Sequence, residues 1–173
     1  MGSGYSAIYA GTGGGSQPYA DSYSVVGAVR AIDKKDSDIY NSKTGYFKNP
    51  TATALDDAVD GNRVIFNDKS ANGTMTYVMD DNGNIIFGKR CNPNDGRKRA
   101  PHPTLIGGKD PQVQCAGMIT FVGGKISQVN CQSGHYRPDS KSMDKVNAAL
   151  QALCDKNPNL FTKDSVWRKN NGT

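Results

Sequence analysis

The chain has 173 residues, 21 Lys plus Arg against 16 acidic residues, and a formal net charge of +5. All 16 acids are aspartate, which excludes chemistries built on glutamate: His-x-Glu nucleobase deamination, His-Glu-x-x-His zinc proteolysis and ADP-ribosyl transfer of the usual kind. The length suits one domain, the 20 glycines with many Asn, Ser and Thr suit an α+β or mainly β chain, and no run of 18 apolar residues is present to span a membrane.

Residues 1–20 read as a flexible Gly/Ser-rich arm or linker, with residues 21–173 as a single domain. The run Gly11-Thr12-Gly13-Gly14-Gly15-Ser16 lacks the preceding strand, the following helix and the lysine of a phosphate cradle. From Tyr23 to Ile32, Val25, Val26, Val29 and Ile32 recur at helical spacing and predict a short N-terminal helix capped by Asp21 or Ser22. Residues 33–61 are polar and turn-rich, with a helical turn expected over 54–59. Strands are predicted over 62–67, 74–79 and 84–88, the last two joined through Asp80-Asp81-Asn82-Gly83 as a hairpin. Asp80, Asn82 and Asn84 resemble a calcium loop only in part, because the glycine comes too early and the chain has no closing glutamate. A second hairpin is expected from Val113–Phe121 through Gly123-Gly124 to 125–130, followed by the longest helix, Asp139–Lys156, with Met143, Val146, Leu150, Leu153 and Cys154 on one stripe. Asn157-Pro158-Asn159 ends that helix, and Leu160, Phe161 and Trp167 anchor the tail. The predicted fold is therefore α+β: one domain with an antiparallel sheet of hairpins, a short N-terminal helix and one long C-terminal helix.

The four cysteines, at 91, 115, 131 and 154, lack Cys-x-x-Cys spacing, so no zinc site is expected. A tight Gly123-Gly124 turn pairs residues whose numbers sum to 247, which sets Cys131 against Ala116 and turns Cys115 to the other face. A disulfide between them would require a bulge or a longer turn; free buried cysteines are the other reading.

Charge is unevenly spread. Residues 1–88 carry 7 basic and 10 acidic side chains, net −3, while residues 89–173 carry 14 and 6, net +8. A field of this sign favours RNA, a nucleotide or an acidic protein surface, although a charge run also serves as an ordinary solvated face. Both histidines lie in the basic half, within Arg97-Lys98-Arg99-Ala100-Pro101-His102-Pro103-Thr104-Leu105-Ile106-Gly107-Gly108 and Ser133-Gly134-His135-Tyr136-Arg137-Pro138. If the sheet brings these two loops to one edge, two imidazoles stand among Arg97, Lys98, Arg99, Lys109 and Arg137, with Thr104 and Ser133 as hydroxyl donors. That is the minimum set for phosphodiester cleavage without metal or organic cofactor: one His takes the 2′-hydroxyl proton, the other protonates the leaving oxygen, and a cation stabilises the phosphorane. His102, His135, Tyr136 and Arg137 are the catalytic candidates. The competing assignment is structural, each histidine hydrogen-bonded within its own loop.

The blocks Tyr77-Val78-Met79-Asp80 to Asn84, His102 to Gly108, Ala116-Gly117, Gly124-Lys125-Ile126 and Ser133 to Pro138 resemble a module at the C-termini of bacterial polymorphic toxins, Rhs-type effectors included, over about residues 74–156. A similar block occurs in a plant calmodulin-binding family with an IQ motif. The resemblance implies a toxin domain delivered into a target cell as part of a larger effector, acting in the target cytoplasm, with a cognate immunity protein as partner; a monomer without membrane span is expected. Pro103 and Thr104 stand where the module has two serines, and Met118 where many toxin members carry Glu after Ala-Gly. Some toxins with related tails are ADP-ribosyltransferases, so an NAD-using enzyme is the alternative, with Arg63 or His102, Thr104 and Tyr136 holding the dinucleotide. A non-catalytic binding module is the second alternative.

Overall fold

The long apolar alternations of the sequence become a five-stranded antiparallel sheet, and the short polar stretches become two- and three-stranded ribbons around it. A computed structural model describes residues 23–24, 31, 34–80, 82–92, 95–100, 102–107, 112–133, 136, 138 and 140–170. The strands in chain order are β1 (Tyr23–Ser24), β2 (Tyr40–Asn41), β3 (Tyr46–Phe47), β4 (Thr53–Ala54), β5 (Val59–Asp60), β6 (Arg63–Phe66), β7 (Lys69–Ser70), β8 (Gly73–Met79), β9 (Ile85–Gly88), β10 (Cys91–Asn92) and β11 (Asp95–Arg99). Helix α1 (His102–Ile106), strands β12 (Gln112–Val113), β13 (Cys115–Val122) and β14 (Lys125–Val129), and helices α2 (Ser140–Lys156) and α3 (Val166–Asn170) complete the order, with 3-10 turns at Leu55–Ala58 and Pro158–Leu160.

The central sheet runs β14-β13-β8-β9-β4. Asp80 closes the β8–β9 hairpin: its carboxylate accepts the backbone N–H groups of Asn82 at 2.9 Å and Asn84 at 2.8 Å, and Gly83 supplies a φ of +85°. The carboxylate that suggested calcium is thus occupied by the amides of its own turn. Gly123 and Gly124, at φ +57° and +82°, form the β13–β14 turn in the left-handed region that glycine adopts without strain. Pairs nearest that turn keep the expected register, Val122 with Lys125 and Phe121 with Ile126. The register then shifts between Thr120 and Phe121, so Gln128 meets Thr120 and Val129 meets Ile119, with Ser127 as the extra residue of a β-bulge.

Period-two alternation divides the sheet into two faces. Met75, Tyr77 and Met79 of β8, Ile85 and Phe87 of β9, and Cys115, Ile119 and Phe121 of β13 join Val146, Leu150 and Cys154 of α2 and Val64 and Phe66 of β6 in the larger core. Val78, Ile86 and Ala116 point to the opposite face, where Leu105 and Ile106 of α1, Val113 and Tyr136 cover them. The α2 stripe is spaced i, i+4, i+8, and each of its three buried residues is fully withdrawn from water. The protein is a single α+β unit, and among the described residues no helix is long and apolar enough to cross a membrane.

Two expectations are corrected. Tyr23 and Ser24, read as the first turn of a helix, instead pair antiparallel with Val113 and Gln112; Ala31 is helical, and residues 25–30 lie outside the described part. The bulge also reverses the parity inferred for the cysteines. Past Ser127 the pairs sum to 248, which sets Cys131 opposite Gly117 on the face of Cys115 rather than opposite Ala116. Cys115, Cys131 and Cys154 are free thiols.

Candidate functional site

His102 was expected in an open loop and instead begins α1. Pro103 fixes a helical φ in the first turn, where its missing N–H costs nothing, and Gly107 at φ +71° ends the helix after five residues. The imidazole is buried, 7 % exposed, with Nε2 2.8 Å from the Gly117 carbonyl oxygen at the centre of β13. A carbonyl only accepts, so Nε2 carries the proton, and in the neutral ring Nδ1 carries the lone pair. The main chain of the sheet thereby fixes both the orientation and the tautomer of His102.

Thr104, one helical turn position further, is also buried. Its hydroxyl accepts the Asn49 side-chain N–H at 3.1 Å, and the same Asn49 accepts from Thr51 through both the backbone N–H (2.8 Å) and the hydroxyl (2.6 Å). Thr51 in turn accepts the Lys89 backbone N–H at 2.9 Å. This buried network ties α1 to the end of β9, so Thr104 acts as an anchor of the helix within the fold. Gly88 makes the close approach possible: a Cβ there would stand 2.8 Å from both Leu105 Cδ2 and Thr51 Oγ1.

Tyr136 is 3 % exposed and packs in the same core layer as Leu105 and Ile106. Its backbone N–H donates to the Ser133 hydroxyl at 3.3 Å. The chain just before Ser133 is pinned to the sheet. The Tyr77 hydroxyl donates to the Asn130 carbonyl at 2.6 Å, and the Asn130 side chain accepts the backbone N–H groups of Met118 and Gln132. Gly117 permits the crossing, because a Cβ there would collide with the Asn130 carbonyl. Burial pushes the Tyr77 hydroxyl far above the ordinary tyrosine range and also raises the Cys115 thiol, which accepts from Ser142 at 3.4 Å.

Tyr136 and the α1 residues Leu105 and Ile106 are therefore brought to one side of the sheet, with the Ser133 hydroxyl on the Tyr136 N–H and His102 and Thr104 on the same short helix. Arg97, Lys98 and Arg99 lie on β11, which leads directly into α1; their side chains are outside the described part, as are His135, Arg137 and Lys109. Arg63 stands apart. It bonds Ser70 and lies against Gly124 at the turn end of β13, well removed along the strand from Gly117. Among the described residues no group of three His, Cys or Asp is arranged to hold a metal ion. Sequence reasoning missed Asn49, Gly117 and Asn130; the available signals were an Asn-Pro-Thr turn and a glycine within a strand, which marks close backbone approach. No protein-family model, curated protein or solved structure matches the chain.

Proposed function

We propose that this chain is a toxin-type effector domain that cleaves RNA without a metal ion, with His102 and His135 as the acid–base pair. The observation that carries the reading is the His102 Nε2–Gly117 hydrogen bond, which supports an imidazole held in one orientation by the main chain of the sheet. In this mechanism one imidazole removes the 2′-hydroxyl proton, the 2′-oxygen attacks phosphorus, and the 5′-oxygen leaves with a proton from the second imidazole, yielding a 2′,3′-cyclic phosphate. Arg137 and the cations of β11 stabilise the phosphorane, and the net +8 of residues 89–173 suits a polyanionic substrate. The packing of Tyr136 against Leu105 and Ile106 of α1 supports bringing the two histidine-bearing motifs to one substrate.

A second reading, NAD-dependent ADP-ribosyl transfer, is favoured by the common burial of His102, Thr104 and Tyr136 in one patch. It lacks the usual glutamate, and Arg63 sits too far along the sheet to join that patch.

The deciding experiment incubates the protein with total RNA in EDTA, with and without NAD. Fragments ending in cyclic phosphate without NAD support the nuclease; NAD consumption with intact RNA supports the transferase; neither, with capture of a protein partner, supports the binding module. His102→Gln keeps a donor near Gly117 but removes the imidazole, and it is expected to fold while losing about 100- to 10,000-fold in cleavage rate.

A further inference from the structure

A second site lies on the opposite face of the sheet, the one packed against α2. β14 is an edge strand, and its outer side is covered only at its beginning. Val64 donates to the Gly124 carbonyl, Phe161 forms a parallel bridge with Ile126, and Thr162 donates to the Ile126 carbonyl at 3.0 Å. The tail then turns away, and among the described residues no strand follows along residues 127–129. In its place is a cavity of about 460 Å³, walled by residues 127–129, Met143 and Asn147 of α2, and Asp164–Trp167. That volume lies within the range of ligand-binding clefts.

Two polar atoms of this wall are unsatisfied. Ser165 Oγ and Trp167 Nε1 are buried without a hydrogen-bond partner, and their residues are only 3 % and 2 % exposed. A buried polar group left unpaired is destabilising, and both residues belong to the wall of this one cavity. The indole N–H can only donate and the serine hydroxyl can donate or accept, whereas the lining contains no Lys, Arg or His and has one carboxylate, Asp164. An anion is therefore disfavoured and a neutral acceptor favoured. A peptide main chain provides such acceptors at regular spacing, together with N–H groups for the open strand edge.

We infer that this groove takes an extended peptide segment of a partner protein, added to β14 where Phe161 and Thr162 leave off. The mode is strand addition, with main-chain hydrogen bonds to the 127–129 edge and a peptide carbonyl reaching the Trp167 indole N–H. Because both orphaned atoms are shielded from water, the short α3 segment yields slightly as the peptide seats. Val166, 56 % exposed at the rim, provides apolar contact.

Trp167 is the single tryptophan of the chain, so its indole N–H gives one isolated resonance. The test titrates the full-length, 15N-labelled protein with the capped peptide acetyl-Val-Thr-Val-N-methylamide, and in separate arms with glucose and inorganic phosphate. The expected result is a saturable downfield shift of the indole N–H together with the amides of residues 127–129, in the peptide arm alone. Trp167→Phe, followed through the same amides, is expected to weaken binding by about 2- to 10-fold, the worth of one hydrogen bond. Absence of a peptide-induced shift, a response to glucose or phosphate instead, or full affinity in a folded Trp167→Phe variant overturns the proposal. None of these outcomes bears on RNA cleavage at His102, which lies across the sheet.

Discussion

His102 combines burial with a main-chain hydrogen bond, so its removal has two separable effects. His102→Ala leaves the Gly117 carbonyl without that donor and opens space beneath α1; urea denaturation is expected to show a loss of about 1–3 kcal/mol. Asn49→Ala is expected to cost a similar amount by breaking the Asn49–Thr51–Thr104 network. Its RNA-cleavage rate should fall with it, because α1 loses its tether. A fully active Asn49→Ala would show that the network serves the fold alone. Tyr77 and Cys115 set a pH dependence. Burial raises both above their ordinary values of 10.0 and 9.0, so the folded state retains protons that the unfolded chain releases. Stability from this source is complete below about pH 9 and declines as pH rises through the unfolded-state values. A chemical-denaturation series from pH 7 to about pH 11 checks this, and a flat profile contradicts it. At this scale the sequence was only partly legible. The residue types at 102–104 and 133–136 stood out in the sequence, but the groups that hold the His102 and Tyr77 side chains are the main-chain carbonyls of Gly117 and Asn130. A carbonyl that any residue supplies leaves no trace in residue identity.

Elements were easier to read where their signals were local. The Asn82-Gly83 and Gly123-Gly124 turns, the alternation of β8 and the apolar stripe of α2 all depend on neighbours within a few residues, and each formed with bounds close to expectation. Tyr23–Ser24 could not be read as a strand locally because its partner, β12, lies some 90 residues away. The helix at 102–106 was missed because five residues are too few to display a period, although Pro103 and Gly107 define its two ends. Two substitutions probe how the elements fit together. Leu150→Ala is expected to cost about 2–5 kcal/mol, as a fully buried leucine whose cavity α2 cannot close. Gly117→Ala places a methyl against the Asn130 main chain, which must shift because it is not a flexible side-chain tip. The expected outcome is a chain with a markedly lower thermal midpoint and altered packing of the Ser133–Tyr136 segment. A variant with wild-type stability would mean that this crossing is looser than drawn.

For the molecule as a whole, the division of charge into a −3 half and a +8 half was visible from composition, and it remains the basis for expecting a polyanionic substrate. RNA cleavage at subsaturating substrate is accordingly predicted to fall with salt. Three phosphate contacts on a single strand give roughly a 20-fold loss between about 50 and 200 mM salt, and salt-independent cleavage would argue against a backbone-tracking site. The division of the sheet into an α2 face and an α1 face was less legible, since it depends on which side each strand presents after pairing.

Ser127 carries a consequence for how this fold tolerates insertion and deletion. A strand's side chains alternate in direction, so one additional residue exchanges inside for outside along everything that follows. Losing Ser127 alone would remove the bulge and leave Gln128 opposite Thr120 and Val129 opposite Ile119, so Val129 and Cys131 would keep their surface. Losing a second residue would turn them to the other side and draw the departure point back along the neighbouring strand. This hairpin should therefore tolerate one deletion at the bulge far better than two, although the segment is only five residues long and lies at the border of the sheet.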